Sequence, residues 1–210
     1  MYHSHPATRQ DEWVFDRTPG QRGFFVEVGA HDGVRHSNTL ALEKDGWSGL
    51  LIEANPSLYS QMVVNRPKAL HSNAVVSNWE REDAGFILGD SYGGLLDFMP
   101  REWMDEHVKR GNPVVRVPTR TLASVLEEHK CSRVMKYLSI DVEGAEFAIL
   151  EQFIKVESLK RPQHQTIFQL ITVEFRYDTV LLDKLERLLT DYRLDELRGF
   201  DACFVHRSLR

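Results

Sequence analysis

The sequence predicts an α/β fold, a doubly wound open sheet of mostly parallel strands, and three observations carry that expectation. Apolar runs suited to buried parallel strands alternate with helical patterns along most of the chain. One of them, Phe24-Phe25-Val26-Glu27-Val28, runs straight into a Gly29-x-x-x-Gly33 turn. A second, Leu50-Leu51-Ile52, ends on Glu53, a carboxylate 20 residues after Gly33. Open α/β sheets bind nucleoside ligands in this way: glycines let the backbone approach, and an acid accepts hydrogen bonds from the ribose.

The elements follow in order. Residues 1–22 are polar, carry Pro6 and Pro19-Gly20, and read as a loose or docking arm before one domain over 23–210. Strands are expected at 24–29, 49–53, 68–76, 134–140, 167–175 and 201–206. Helices are expected at 38–44, at 56–65 with Pro56 in the first turn, and at 121–129 with Leu122, Val125 and Leu126 on one face. Two more follow at 143–156, through Phe147, Leu150 and Ile154, and at 179–190, through Leu181, Leu182, Leu185, Leu188 and Leu189. Residues 78–118 break the alternation with polar residues, Gly93-Gly94 and scattered aromatics. They read as an insertion or lid over the carboxyl ends of the strands, where such folds bind ligands.

Bulk properties narrow the function. The 210 residues suit a single domain with a substantial core. Their 26 Lys+Arg against 31 Asp+Glu leave a net charge of −5, which argues against charge-driven binding to nucleic acid. His107, Lys109, Arg110, Arg116 and Arg120 form a local basic stretch that a solvated surface explains as well. Cys131 and Cys203 stand far apart outside any C-x-x-C pattern, against a zinc site or disulfide framework and in keeping with a reducing compartment. The first residues lack the apolar core of a signal peptide, and no apolar run approaches the ~20 residues of a membrane span. A soluble, cytoplasmic protein is expected.

The glycine turn also favours one cofactor class. Gly29-x-x-x-Gly33 is not the G-x-G-x-x-G of pyrophosphate binders, and Glu27 puts negative charge beside the loop. A phosphate is disfavoured there and a sulfonium or amino group favoured, so S-adenosylmethionine (SAM) suits the loop better than NAD or ATP.

Five blocks then occur in a telling order: Phe24–Gly33, Leu51–Pro56, Asn73-Ala74-Val75-Val76-Ser77, Val117-Pro118-Thr119-Arg120-Thr121-Leu122, and Leu138-Ser139-Ile140-Asp141-Val142-Glu143-Gly144-Ala145-Glu146. From about residue 23 to 205 the chain resembles FkbM-type SAM-dependent methyltransferases. Ser37-Asn38-Thr39 and Gly46-Trp47-x-Gly49-Leu50 are similar to the eukaryotic and viral branch. The resemblance implies a Rossmann-like class I methyltransferase fold. Its seven-stranded, mostly parallel sheet would close on an antiparallel hairpin, here 192–197 and 202–206 joined through Gly199, with helices on both faces. It also implies methyl transfer, usually to a hydroxyl of a small molecule or sugar. Glu27 stands where Asp is more usual, and His31, at a position facing the methionine part of SAM, where Asn is common.

Each candidate residue also has a plainer reading. Gly29 and Gly33 could simply make a tight turn, and Glu53 could be a surface acid, yet Asn55-Pro56 fixes the turn after it and aims it at the crevice. Asp32 and Asn38 either contact the SAM amino group or cap the next helix. Asn73-Ala74 follows the third strand, where the fold contacts adenine, or Asn73 satisfies a loop carbonyl. Asp141, Glu143 and Glu146 either stabilise a helix start through its dipole or build the site. Asp141 ends the fourth strand and Glu174 the fifth, so the two acids should face each other across the site. They form a general-base arrangement or a hard-oxygen pair for Mg²⁺. Tyr92, Trp103 and Arg116 are candidates to line the acceptor pocket.

The leading expectation is a SAM-dependent O-methyltransferase. The alternative is a catalytically silent methyltransferase-like module acting through protein partners. A nucleic-acid ribose methyltransferase would show a Lys-Asp-Lys-Glu tetrad, but Lys136 lies only five residues before Asp141 in one strand and no second lysine completes the set.

Overall fold

The computed structural model describes residues 2–89 and 92–209. Along the chain run α1 (Gln10–Arg17), β1 (Phe24–Val28), α2 (Leu40–Lys44), β2 (Ser48–Ile52), α3 (Pro56–Asn65), β3 (Leu70–Ser72) and β4 (Val75–Ser77). Then come β5 (Arg81–Ile87), β6 (Gly94–Leu95), α4 (Arg101–Lys109), β7 (Val114–Thr121), α5 (Leu122–Glu128) and β8 (Val134–Ile140). The chain closes with α6 (Glu146–Ser158), β9 (Ile167–Glu174), α7 (Thr179–Leu188), β10 (Tyr192–Arg198) and β11 (Asp201–His206).

Seven strands form the main sheet in the order β10-β11-β9-β8-β1-β2-β3. The strands from β3 across to β9 pair in parallel, while β11 is antiparallel to both β9 and β10. The chain winds outward from β1 to β3 and returns to β8 on the other side of β1, so strand order reverses beside β1. That switch point is where open sheets form a ligand crevice.

Because side chains alternate across a strand, each central strand feeds two cores. Phe25, Leu51, Tyr137 and Leu170 pack on one face with Trp13 and Val14 of α1, Leu42 of α2 and Met62 of α3. Val26, Val28, Leu50, Ile52, Leu138 and Ile140 pack on the other with Leu122, Ile149, Phe153 and Leu185 from α5, α6 and α7. The near-continuous apolar runs of the sequence are thus strands buried on both faces. Caps set the helix starts: Asn55 Oδ1 accepts from Ser57 N at 3.0 Å, and Asp178 Oδ1 accepts from Val180 N at 2.9 Å.

Three expectations need correction. The strand expected at 68–76 divides at Asn73-Ala74, and its halves, β3 and β4, join different sheets. Residues 78–118 are more than a lid. Together with β4 they build a second, four-stranded sheet ordered β4-β7-β5-β6, plus α4. The helix expected from 143 begins at Glu146, since Glu143 and Gly144 take positive φ of 66° and 123° in a turn before it. The N-terminal arm docks through α1, where Trp13 is fully buried and its Nε1 donates to Asp195 Oδ2 at 2.9 Å. Among the described residues no helix is long and apolar enough to cross a membrane.

Candidate functional site

A cavity of about 370 Å³ opens at the carboxyl ends of β1, β2, β8 and β9, within the size range of small-molecule sites. The glycine turn shapes its floor. Gly29 has φ +87°, and its N–H donates to Ile52 O at 2.9 Å. A β-carbon there would lie 1.8 Å from the Asp141 carbonyl oxygen, so only glycine lets the turn cross the end of β8. Gly33 does different work. It takes φ +76° and packs beneath Arg66 and Met62 of α3, off the cavity wall.

Glu27 lines the cavity but spends much of its carboxylate on the protein. It accepts from Ser37 Oγ at 3.1 Å, Asn38 N at 2.8 Å and Thr39 Oγ1 at 2.5 Å, strapping segment 37–39 to β1. Burial raises its carboxyl above the usual range against the pull of the fully buried Arg66. Asn38, also on the wall, donates from Nδ2 to Ser139 Oγ at 3.0 Å.

Glu53 sits at the end of β2 with its carboxylate fixed from both sides. Oε2 accepts from His31 N at 2.8 Å and Oε1 from Asn55 N at 2.7 Å. Each oxygen keeps further lone-pair capacity toward the cavity, which a ribose diol could use. Burial raises this carboxyl as well, and the backbone N–H groups oppose that rise. Asn55 Nδ2 donates to Gly89 O at 3.0 Å, tying the site to the second sheet. Ala74, Val75, Val76, Phe86 and Leu95 supply an apolar wall beside Glu53. Asn73 supports that corner from behind, donating to Glu53 O at 2.7 Å. Asp32 likewise holds backbone, its Oδ1 accepting from Val34 N and Arg35 N at 2.9 and 2.8 Å.

Acids crowd the opposite end. Asp141 and Glu174 both line the cavity, and Glu143 joins them from the turn before α6. Burial, then the neighbouring Glu174 and Glu143, hold the Asp141 carboxyl well above its ordinary range. Arg176 bridges two of the acids, bonding Glu143 through Nη2 and Glu174 Oε2 through Nε at 2.7 Å. Its guanidinium lies 4.1 Å from the ring centre of Trp103, so α4 of the insertion closes on the acid cluster. Oxygens of Asp141, Glu146 and Glu174 lie within 4.8 Å of one another. Yet Glu146 accepts from Val142 N at 2.9 Å and Gly144 N at 3.0 Å, and Glu174 is held by Arg176. That donor set does not suit Mg²⁺, which needs carboxylate oxygens open to it and room for its waters.

A family model described as "Methyltransferase FkbM domain" matches residues 27–199. The chain belongs to the FkbM methyltransferase family. Its fold is that of an α/β methyltransferase-like domain. Among solved structures, the ribosomal protein L11 methylase of Lactobacillus delbrueckii subsp. bulgaricus is 10% identical with a TM-score of 0.49, covering 97% of this chain and 79% of that one. A TehB-like SAM-dependent methyltransferase of Corynebacterium glutamicum is 10% identical with a TM-score of 0.46, covering 94% and 88%. The human methyltransferase 10 domain containing protein is 12% identical with a TM-score of 0.46, covering 93% and 79%. No curated protein matches the chain in sequence.

Of the residues singled out in sequence, this FkbM domain brings Glu27, Gly29, His31, Asn38, Glu53, Asn55, Ala74, Asp141, Glu143 and Glu174 to one cavity. Asp32, Gly33 and Asn73 stand behind it. Tyr92 reaches the wall, Trp103 acts through Arg176, and Arg116 instead donates to Asp83 O at 3.0 Å in the second sheet. The sequence offered the N-terminal arm as a contact for the acceptor without naming its residues, His5, Thr8 and Gln10, and gave no sign of Asp201. Asp201 pairs directly opposite Glu174 in the β9–β11 ladder, a neighbour only the antiparallel register reveals.

Proposed function

We propose that the cavity binds SAM and that the domain transfers its methyl group to a hydroxyl oxygen of a small molecule or sugar. The observation that carries this reading is the Glu53 carboxylate, oriented by two backbone N–H groups at the wall of a cavity that ends in a carboxylate cluster. These residues fit SAM: an apolar wall suits adenine, Glu53 suits the ribose hydroxyls, and the acids suit a sulfonium and an ammonium. SAM supplies, when bound, an electrophilic methyl group on sulfur.

The protein then has to align the acceptor and remove one proton. Asp141, crowded by Glu174, Glu143 and Asp201, is more basic than an ordinary carboxylate and is our choice to take the proton. Glu174, held by Arg176, orients the acceptor hydroxyl. Glu27, His31, Asn38 and Glu143 flank the methionine end, while Asn55 and Ala74 flank the nucleoside end.

Calorimetric titration with SAM and S-adenosylhomocysteine, beside Glu53→Ala, tests the donor site. Micromolar binding by the wild type, weakened at least tenfold in the variant, is expected. A wild type that binds neither compound would refute the reading and leave a partner-binding module. Given binding, retention of full turnover by Asp141→Asn would remove Asp141 as the base.

A further inference from the structure

The end of the cavity away from Glu53 is walled by residues the donor-site reading does not use. Gln10, in the first turn of α1, is buried, and its Oε1 accepts from three hydroxyls: Tyr137 at 2.7 Å, Ser139 at 3.2 Å and Thr172 at 2.5 Å. The carboxylate of Asp201 at the other end of the amide accepts and does not donate, so Nε2 points toward it. It donates to Asp201 Oδ2. The partner oxygen, Oδ1, is buried without a hydrogen bond of normal geometry; the Thr8 hydroxyl, near enough to lower the carboxyl's pKa, donates to His5 O at 3.3 Å instead. Asp201 is 1% exposed, and the cavity is what it faces. A buried acceptor without a donor is rare in folded proteins and calls for an explanation.

The surroundings define the missing donor. Asp201 lies beside Glu174 in the β9–β11 register, and Asp141 is close enough to feel its charge. Among the described residues, the cation bonded to these acids is Arg176, already shared between Glu143 and Glu174, while Arg35 lines the cavity on the His36 side. Beside Asp201 the acids outnumber these cations, so an anionic group would meet net negative charge. At the rim, the His5 ring packs edge-on to His36 at 4.9 Å and tilted to Phe200 at 5.3 Å, giving flat surfaces beside the carboxylate. Flat rings next to oriented carboxylate oxygens suit a polyol, whose C–H faces and hydroxyls alternate.

We infer that Asp201, oriented by Gln10 and flanked by His5 and Phe200, is the acceptor subsite and receives a hydroxyl of an uncharged polyol next to the one that is methylated. This rests on the SAM-dependent reading of the same cavity. The subsite selects against acidic acceptors, and the N-terminal arm is part of it.

The test uses the full chain saturated with S-adenosylhomocysteine at pH 8, with saturation-transfer NMR on methyl glucoside, its 2-amino counterpart and its glucuronide. Methyl glucoside is expected to bind, with the glucuronide at least tenfold weaker. Binding of only the amino sugar would overturn the hydroxyl assignment in favour of an ammonium. In Asp201→Asn the side-chain oxygen can still accept from Gln10, and an amide donor replaces Oδ1. That variant should bind methyl glucoside at least tenfold more weakly and lose discrimination against the glucuronide, with S-adenosylhomocysteine affinity unchanged within twofold. Glucuronide binding as tight as the glucoside in the wild type would overturn the inference without any variant. So would unaltered sugar binding in Asp201→Asn, or no sugar binding by a chain that binds S-adenosylhomocysteine. Failure to bind S-adenosylhomocysteine would instead strike the donor-site reading.

Discussion

A single β-carbon separates the two glycines of the turn. Gly29→Ala would drive a methyl against the Asp141 carbonyl at 1.8 Å, where backbone meets backbone and neither can yield. At Gly33 the nearest atoms are Arg66 Cγ at 2.8 Å and Met62 Cγ at 3.1 Å, side-chain atoms with some freedom. Gly29→Ala should therefore cost on the order of 3 kcal/mol or more, and Gly33→Ala about 1–2 kcal/mol from its left-handed backbone. Urea unfolding of the two variants measures this, and equal losses would contradict it. The pair also shows what a sequence conveys at this scale. Gly29 and Glu53 were legible because a short motif in a known context specifies them. Arg66, whose guanidinium binds Gly33 O at 2.9 Å and Thr39 Oγ1 at 3.2 Å, left no such trace. Nor did Gln10 and Asp201, whose hydrogen bond joins residues 191 apart in sequence.

Among the elements, the central parallel strands were readable because burial on both faces forces continuous apolar runs. The second sheet was not. Strand β7 alternates exposed and half-buried residues along Val114–Pro118, and β5 begins with three charged residues, so neither resembles a core strand. Helix α1 was hidden for another reason: its buried residues include Gln10 and Asp11 beside Trp13 and Val14, which breaks the apolar period. Asp11 is satisfied locally, accepting from Ser4 Oγ and from His3 N at 2.5 Å. Trp13 supplies the helix's main hydrophobic attachment to the Phe25–Tyr137 face. Trp13→Ala should lower stability by about 3–5 kcal/mol, the usual cost of removing a fully buried aromatic. A loss under about 1 kcal/mol in chemical denaturation would mean the arm is not integral to the fold. The same variant is expected to weaken acceptor binding more than S-adenosylhomocysteine binding, because the arm supplies Gln10, which orients Asp201.

Across the whole molecule, the cavity stores negative charge that the fold would rather keep protonated. Glu27, Glu53, Asp141, Glu143, Glu174 and Asp201 all have carboxyls raised chiefly by burial. Asp201 is pushed from 3.8 to about 7, with the nearby Glu174 adding to the rise and Gln10 opposing it. A raised carboxyl means the native state binds more protons than the unfolded chain between the two pKa values, so stability falls as pH rises through that interval. For Asp201 the stabilising contribution is complete below about pH 4 and lost by the time pH passes about 7. His3 and His36, lowered by burial, push the other way below 6.5, so total stability is a poor readout. Comparing wild type with Asp201→Asn removes that background. Between pH 5 and pH 8 the wild type should lose on the order of 2 kcal/mol relative to the variant, since each pH step of one between the two pKa values is worth about 1.4 kcal/mol. Thermal melts of both proteins at the two pH values read the difference directly. Parallel curves would mean that Asp201 ionises as an ordinary solvated acid, and the charge balance at the acceptor end would have to be redrawn. A converging difference would place a functional acid where the fold itself resists its ionisation, a cost that a hydroxyl donated to Oδ1 would offset.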